Sequence, residues 1–346
     1  MHDETYRWHR GVAQWGSARG ITLVQGVLVV VLIAAVSAAS IIYLYFSSPS
    51  MQRLIVSTTT SLYDTGLLEV VGDRFQREEN INVSFISAGT GLAIQYAQRG
   101  DSDLVLVHSP SQELAFMQAG DGVNRKIVAY NFFIIVGPMD DPVGVRGLSA
   151  FEALIKVKQA GEAGAAIWVS RGDDSGTHTK EKALWKAAGI NVTKIREEPW
   201  YLEAGAAMGK TLQIANEMES YTLSDTGTYL KYFKDGLISL EDLVTQGKDL
   251  LNVYSVIAES PSKQADVNFE GVMKFIRFLV SQEGQDLIGS YGKEEYGETL
   301  FYPAVQLLKE NTNPEVLSWI QGYAYLNGSE CPPQYRYREG ELYEKQ

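Results

Sequence analysis

Ser170-Arg-Gly-Asp-Asp-Ser-Gly-Thr-His-Thr-Lys180 is the stretch on which the fold turns. Before it stands Ala166-Ile-Trp-Val169, an apolar run that reads as a buried strand. After it, Glu181 to Ala188 carries apolar residues at helical spacing and stops at Gly189. Strand, Gly/Ser/Thr-rich turn and helix, in that order, make an anion cradle. The first backbone N–H groups of a helix lack internal partners, and the macrodipole adds partial positive charge there. Ser175 and Thr177 supply hydroxyls, Gly172 and Gly176 admit close backbone approach, and Arg171 offers a fixed fork of N–H donors. The same residues also allow a plainer reading, in which Asp174 or Ser175 caps the helix and Arg171 pairs with Asp173.

Working outward, the β-α pattern repeats. Leu54-Ile-Val56 runs into Ser57-Thr-Thr-Thr-Ser61 and a helix to about Glu78. Val83-Ser-Phe-Ile86 ends in Ser87-Ala-Gly-Thr-Gly91, which opens a helix through Arg99. Leu104-Val-Leu-Val107 is followed by His108-Ser-Pro110 and a helix to Gly120. Such repetition predicts a parallel sheet with helices on both faces and ligands at the carboxyl ends of the strands. Three polar, Gly/Thr-rich turns fall at those ends. Lys126 to Gly137 then reads as a long strand able to carry the chain into a second lobe. That lobe holds a helix near 149–160, the cradle, a helix near 205–220, and Tyr221-Thr-Leu-Ser-Asp-Thr-Gly-Thr-Tyr229 as another strand, turn and helix. Asn252-Val-Tyr-Ser-Val-Ile257 reads as the return crossing, with helices near 265–281 and 283–291 finishing the first lobe. Two lobes, two crossings and donor-rich turns at facing edges describe a clamshell binder.

Composition narrows the partners. With 346 residues the chain is long enough for two lobes. Its net charge of −12 argues against nucleic acid, whose binders carry a basic stripe, and obliges any anion site to win through short local bonds. The one cysteine, Cys331, rules out an internal disulfide, and the four histidines show no ligand spacing, so no metal is expected. Residues 1–20 are polar and hold Arg7, Arg10 and Arg19, whereas Ile21 to Phe46 has no charge. That run is long enough to span a bilayer and longer than a signal-peptide core. Tyr43 and Tyr45 suit an interfacial belt. The expectation is a cytoplasmic segment at 1–20, a membrane anchor at 21–46 and a binding part outside the cell membrane after a linker at Ser47-Ser-Pro-Ser50. Three N-x-S/T patterns, at Asn82, Asn191 and Asn327, fit that side of the membrane.

The quoted motifs, with Gly100-Asp-Ser-Asp-Leu-Val-Leu-Val-His108 and Tyr254-Ser-Val-Ile257, stand in the order that resembles the tungstate-binding (Tup-type) substrate-binding proteins of ABC transporters. The resemblance spans about residues 53–305. It implies an α/β, two-lobed periplasmic-binding-protein-like fold of type II, with 53–135 and 256–305 as the first lobe and 136–255 as the second. It implies a monomeric, non-enzymatic binder that closes on tungstate or molybdate without a cofactor and delivers it to a permease. Matched by position, the ligand contacts are Thr59, Thr60, Ser61, Thr90, Gly91, Arg171, Ser175, Gly176 and Thr177, with His108 and Asp173 as further candidates. One departure stands out: Ser224-Asp-Thr-Gly-Thr-Tyr229 has Thr226 where such proteins usually carry arginine. Residues 306–346 fall outside the resemblance and read as a short helix with a solvated tail.

Two rival readings remain open. Arg171, Asp173, Ser175, Gly176 and Thr177 also fit the pattern of phosphate-binding proteins, where a carboxylate accepts the phosphate proton. Tungstate offers no proton, so that ligand requires Asp173 to turn towards Arg171 or backbone N–H groups. Asp174, Ser175 and His178 are the residue types of a nucleophilic triad, as a phosphate-ester hydrolase would need, but they crowd one turn, with His178 expected in solvent. Trp168, Trp185 and Trp200 are expected to pack the core rather than to line a sugar cleft.

Overall fold

A computed structural model describes residues 22–47, 52–245, 247–338 and 342–343. The segment 1–20, the side chains of Tyr43 and Tyr45 and the linker at 48–50 lie outside the described residues. The described residues fall into two units, one up to residue 47 and one from residue 52 onward. In the first, helix α1 covers Leu23–Ser47. Its Leu23–Ser40 window has a mean hydropathy of 2.4 and buries nothing, so by length and composition α1 is able to cross a bilayer.

The second unit begins with β1 (Gln52–Thr59), α2 (Thr60–Tyr63), α3 (Leu67–Glu79), β2 (Ile81–Ala88) and α4 (Thr90–Gln98). Next come β3 (Leu104–Val107), α5 (Pro110–Gln118) and the long β4 (Gly122–Gly137). Then follow α6 (Ala150–Glu162), β5 (Trp168–Ser170), α7 (Gly176–Ala187), α8 (Val192–Ile195), β6 (Tyr201–Glu203) and α9 (Met208–Glu217). The chain continues with β7 (Thr222–Asp225), α10 (Thr226–Lys234), β8 (Glu241–Val244) and β9 (Leu251–Glu259). It ends through α11 (Phe269–Val280), α12 (Gln282–Ser290), α13 (Lys293–Tyr296), β10 (Tyr302–Pro303), α14 (Val305–Glu310) and α15 (Pro314–Ala324).

Strand β4 joins two sheets. Its first half runs in the order β10-β4-β9-β3-β1-β2, and its second half pairs with β7 and β8. Strand β7 is extended by the parallel bridge Trp168–Tyr221 to β5, which pairs with β6. The partner of β4 changes between Phe132, opposite Leu251, and Phe133, opposite Asp225. On the return, β9 already belongs to the first sheet at Leu251. The sheet changes thus fall earlier than the expected divisions after 135 and 255. The pairs β1–β2 and β1–β3 are parallel, as the β-α repeats predict. The crossing strands break the all-parallel expectation: β9 is antiparallel to both β3 and β4, because it arrives from the other lobe instead of through a βα unit. Strands β6 and β8 escape the sequence because they are short and one-sided: Tyr201 is buried but Glu203 exposed, and β8 begins with Glu241-Asp242.

Each sheet is filled by its own apolar faces. Leu54, Val56, Phe75, Leu104, Phe275 and Ile276 fill the first lobe. Phe133, Ile135, Trp168, Trp185, Trp200 and Tyr221 fill the second. The three tryptophans are 0–3% exposed, as packing requires.

The C-terminal extension corrects the expectation of a solvated tail. Beyond α15 the chain folds back onto β4, and both Glu330 and Cys331 are wholly buried. Glu330 accepts from Lys126 Nζ at 2.7 Å and from the Ile127 N–H, and its carbonyl accepts from Arg125 Nη1 at 2.7 Å. Asn124 and Tyr337 exchange two bonds, and Tyr343 donates to the Arg125 carbonyl at 3.0 Å. The charged, Tyr-rich composition hides this, since its charges find partners only in the fold. Removing one member of a buried ion pair leaves the other charge uncompensated, which costs about 3–5 kcal/mol. Glu330→Ala is therefore expected to lower unfolding free energy by that order in urea titration, with Lys126 stranded.

Candidate functional site

The carboxyl ends of β1, β2 and β3 face the cradle across the space between the lobes. Thr59 closes β1 and caps α2, its Oγ1 accepting from the Leu62 N–H at 3.4 Å. Ser61 Oγ lies 3.5 Å from Thr59 Oγ1 and 3.4 Å from His108 Nε2. Thr90 opens α4, and Gly91 follows it at a contact with the second lobe, where an added Cβ would stand 3.8 Å from the Asp174 carbonyl. From the other side, Arg171 Nη2 donates to Thr60 Oγ1 at 3.1 Å. A Cβ on Gly176 would fall 2.7 Å from His108 Cε1 and 3.0 Å from Thr90 Oγ1. Gln112 donates to Thr179 Oγ1 at 3.1 Å, and Thr228 Oγ1 lies 3.3 Å from the Ser61 carbonyl. The lobes are closed on one another.

The buried polar atoms at this closure without a hydrogen-bond partner include Thr90 Oγ1, His108 Nδ1, Arg171 Nε and Thr177 Oγ1, with the acceptor Asn252 Oδ1 in the floor of the site. Unpaired buried polar groups are rare because each forfeits its hydration. The hydroxyls and the guanidinium can all donate, and His108 can as well in the tautomer carrying its proton on Nδ1. Burial, reinforced by the Arg171 charge, drives the His108 pKa down to about 3, so the ring is neutral near pH 7. It rests on Tyr254 and Phe133, with ring centroids 5.0 and 6.1 Å away. Asn252 bonds both the Tyr254 hydroxyl (2.8 Å) and Asn131 (2.9 Å). The floor of the site is therefore built from β4 and β9, the strands that cross between the lobes.

The carboxylates beside these donors are already engaged. Asp173 Oδ2 accepts from Arg171 Nη2 at 2.5 Å and Oδ1 from the Ser175 N–H at 3.2 Å. Asp225, buried at the start of α10, accepts from Thr228 N–H at 2.9 Å and Thr228 Oγ1 at 2.8 Å. This is the orientation of Asp173 that an unprotonated oxyanion requires. Thr226 donates to the Phe132 carbonyl at 2.8 Å, so at the position of the missing arginine a hydroxyl ties α10 to β4.

The cradle rests on a carboxylate that sequence reasoning did not single out. Glu181, 2% exposed, collects Trp168 Nε1 (2.9 Å), Trp185 Nε1 (3.1 Å), Tyr201 OH (2.7 Å) and Ser170 Oγ (2.8 Å). It fixes β5, the strand that ends just before Arg171, against α7. Thr228, Gln112 and Asn252 also went unassigned, because the groups they meet across the site, Ser61, Thr179 and Asn131, lie far away in sequence. Only the quoted Ser224–Tyr229 motif carried a signal.

Ser175 caps α7 through the His178 N–H at 3.2 Å, so the plain capping role and the cradle coexist. His178 is 4% exposed, contrary to the expected solvated residue. Its Nδ1 is occupied by the Asp174 N–H at 3.0 Å, and Asp174 itself pairs with Lys182 in solvent. Of Ser175, His178 holds only the cap bond from its backbone N–H, so the imidazole does not serve as its base. No group of three His, Cys, Asp or Glu side chains suited to a metal occurs among the described residues.

A two-lobed α/β fold crossed twice by its strands, with unpartnered donors where the lobes meet, defines a substrate-binding protein of the periplasmic type. The family model described as the PBP superfamily domain matches residues 38–283. The tungstate-binding protein TupA of Peptoclostridium acidaminophilum is 41% identical over 250 residues, which cover 72% of this chain and 85% of that one. A solved TupA from Desulfovibrio alaskensis is 38% identical with a TM-score of 0.62, covering 73% of this chain and 98% of its own. A solved tungstate ABC transporter structure from Geobacter sulfurreducens is 43% identical with a TM-score of 0.62, covering 69% and 98%. The chain belongs to the Tup-type substrate-binding proteins of ABC transporters, within the PBP superfamily. It is a binding protein rather than an enzyme.

Proposed function

We propose that this chain captures tungstate, with molybdate as the second candidate, between its lobes on the outer side of the membrane and hands it to an ABC permease. The observation that carries the reading is the cluster of buried, unpartnered donors around Gly176 beside two carboxylates that are both engaged. A tetrahedral dianion with acceptors only fits such donors, and the two carboxylates beside them, Asp173 and Asp225, are each held by donors of the protein itself. The names of the relatives support the same choice. The binding part acts as a monomer, and α1 holds it at the membrane.

Calorimetric titration with tungstate, molybdate, sulfate and phosphate tests the ligand. A ligand that binds only the folded state stabilises it by about 2.7 kcal/mol at a hundredfold excess over Kd. Tungstate is thus expected to raise the melting temperature and phosphate to leave it unchanged; a shift with phosphate alone reverses the assignment. For the anchor, the full chain is expected in the membrane fraction of native cells and a fragment from residue 52 in the soluble one. A mature N-terminus between residues 40 and 50 would show instead that α1 is removed.

A further inference from the structure

Two helices of the second lobe begin on the same device but complete it differently. At α6, Ser149 and Glu152 form a capping box: Glu152 N–H donates to Ser149 Oγ (3.3 Å), and Ser149 N–H donates to Glu152 Oε2 (3.1 Å). Glutamate or glutamine is the usual third helical residue of such a box. At α7 the first half is the same, since Ser175 Oγ accepts from the His178 N–H. The return bond comes from the preceding residue, Asp174, whose N–H donates to His178 Nδ1 at 3.0 Å. Position 178 therefore holds an imidazole where α6 holds a carboxylate.

The start of α6 lies in solvent, whereas the start of α7 faces the donors of the cleft. The turn that leads into α7 is demanding, with left-handed φ values of 61° at Gly172 and 54° at Asp174. Something must hold the Asp174 peptide, and the His178 ring does so from inside the fold. Burial pushes this imidazole below its ordinary pKa, so it is neutral near pH 7 and free to accept. Its Nε2, the proton-bearing nitrogen in that tautomer, has no bond; Glu203 Oε1 is 3.9 Å away, and the other oxygen of Glu203 holds Arg196 at 2.7 Å.

We propose that His178 is a positioning residue of the anion cradle: an uncharged acceptor that locks the Arg171–Ser175 turn while adding no negative charge beyond the cation-paired Asp173 and Asp174 at the helix end that receives the oxyanion. This rests on the oxyanion reading above. A glutamate there would complete the box equally well, but it would set a charge of the ligand's own sign at a helix N-terminus.

The test uses the full chain in detergent at pH 7.5, with tungstate affinity measured by calorimetry and melting temperature measured without ligand. His178→Gln keeps a neutral acceptor and is expected to keep both near the parent's. His178→Ala is expected to lose melting temperature and affinity together. His178→Glu is expected to melt near the parent yet bind roughly tenfold more weakly, the order of effect of a partly buried charge at a helix end. Tungstate binding by His178→Glu equal to the parent's overturns the proposal, and so does a glutamine variant as weak as alanine. If the glutamate variant fails to fold, the glutamine–alanine comparison still decides whether the ring positions the turn. A parent chain that binds none of the oxyanions overturns the functional reading itself, which separates the two failures.

Discussion

Arg171→Ala is expected to weaken tungstate binding by a factor of about ten to a hundred, towards the upper end. A hydrogen bond to a charged group contributes about 1.5–3 kcal/mol, and Arg171 Nε is a buried donor with no partner in the protein. The structure adds a second cost. Arg171 also neutralises Asp173 at 2.5 Å, so its removal leaves a carboxylate beside the anion with only the Ser175 N–H to hold it. Thr226 adds no charge nearby to compensate. Arg171→Lys should recover only part, because a point charge cannot hold Asp173 and Thr60 while also presenting a donor to the ligand. Calorimetry on both variants decides the matter: affinity within twofold of the parent for alanine would mean that Arg171 serves only its pair with Asp173.

Gly176→Ala is expected to be at least as severe, for a steric reason. The added Cβ would sit 2.7 Å from His108 Cε1 and 2.9 Å from His108 Nδ1, closer than carbon atoms tolerate. His108 cannot retreat, because Tyr254 and Phe133 pack behind it. The lobes would stop short of full closure and separate the donors of one side from those of the other. Overpacking a tight contact costs about 1–3 kcal/mol, or roughly tenfold to a hundredfold in affinity, and Gly176→Val should exceed that. With the lobes apart the new methyl meets no neighbour, so the ligand-free melting temperature should stay near the parent's. Small-angle scattering should show no compaction on adding tungstate; a variant that still compacts and binds like the parent would mean that closure does not bring Gly176 against His108.

Much of this site was legible because its donors sit on local signals. Each of Thr59–Ser61, Thr90 and Ser175–Thr177 follows a strand and opens a helix, and strand-turn-helix order is written in neighbouring residues. The two crossing strands were legible too, as long apolar runs bounded by polar turns. What stayed hidden depends on partners far along the chain. Glu181 reads as an ordinary helical charge until Trp168, Trp185, Tyr201 and Ser170 converge on it. His178 reads as solvated until the turn folds over it.

The sequence by itself determined the α/β class, the clamshell, the strand-turn-helix order of the 170–180 stretch and the apolar helix α1, because periodicity and turn chemistry act over a few residues. Only the tertiary structure decided where the partner of β4 changes, that β9 runs antiparallel, which way Asp173 turns, and that the C-terminal extension is part of the core. Those outcomes are set by competition among groups distant in sequence. Glu330 is buried because Lys126 and the Ile127 N–H meet it on β4, and the residues around it give no local sign of such partners.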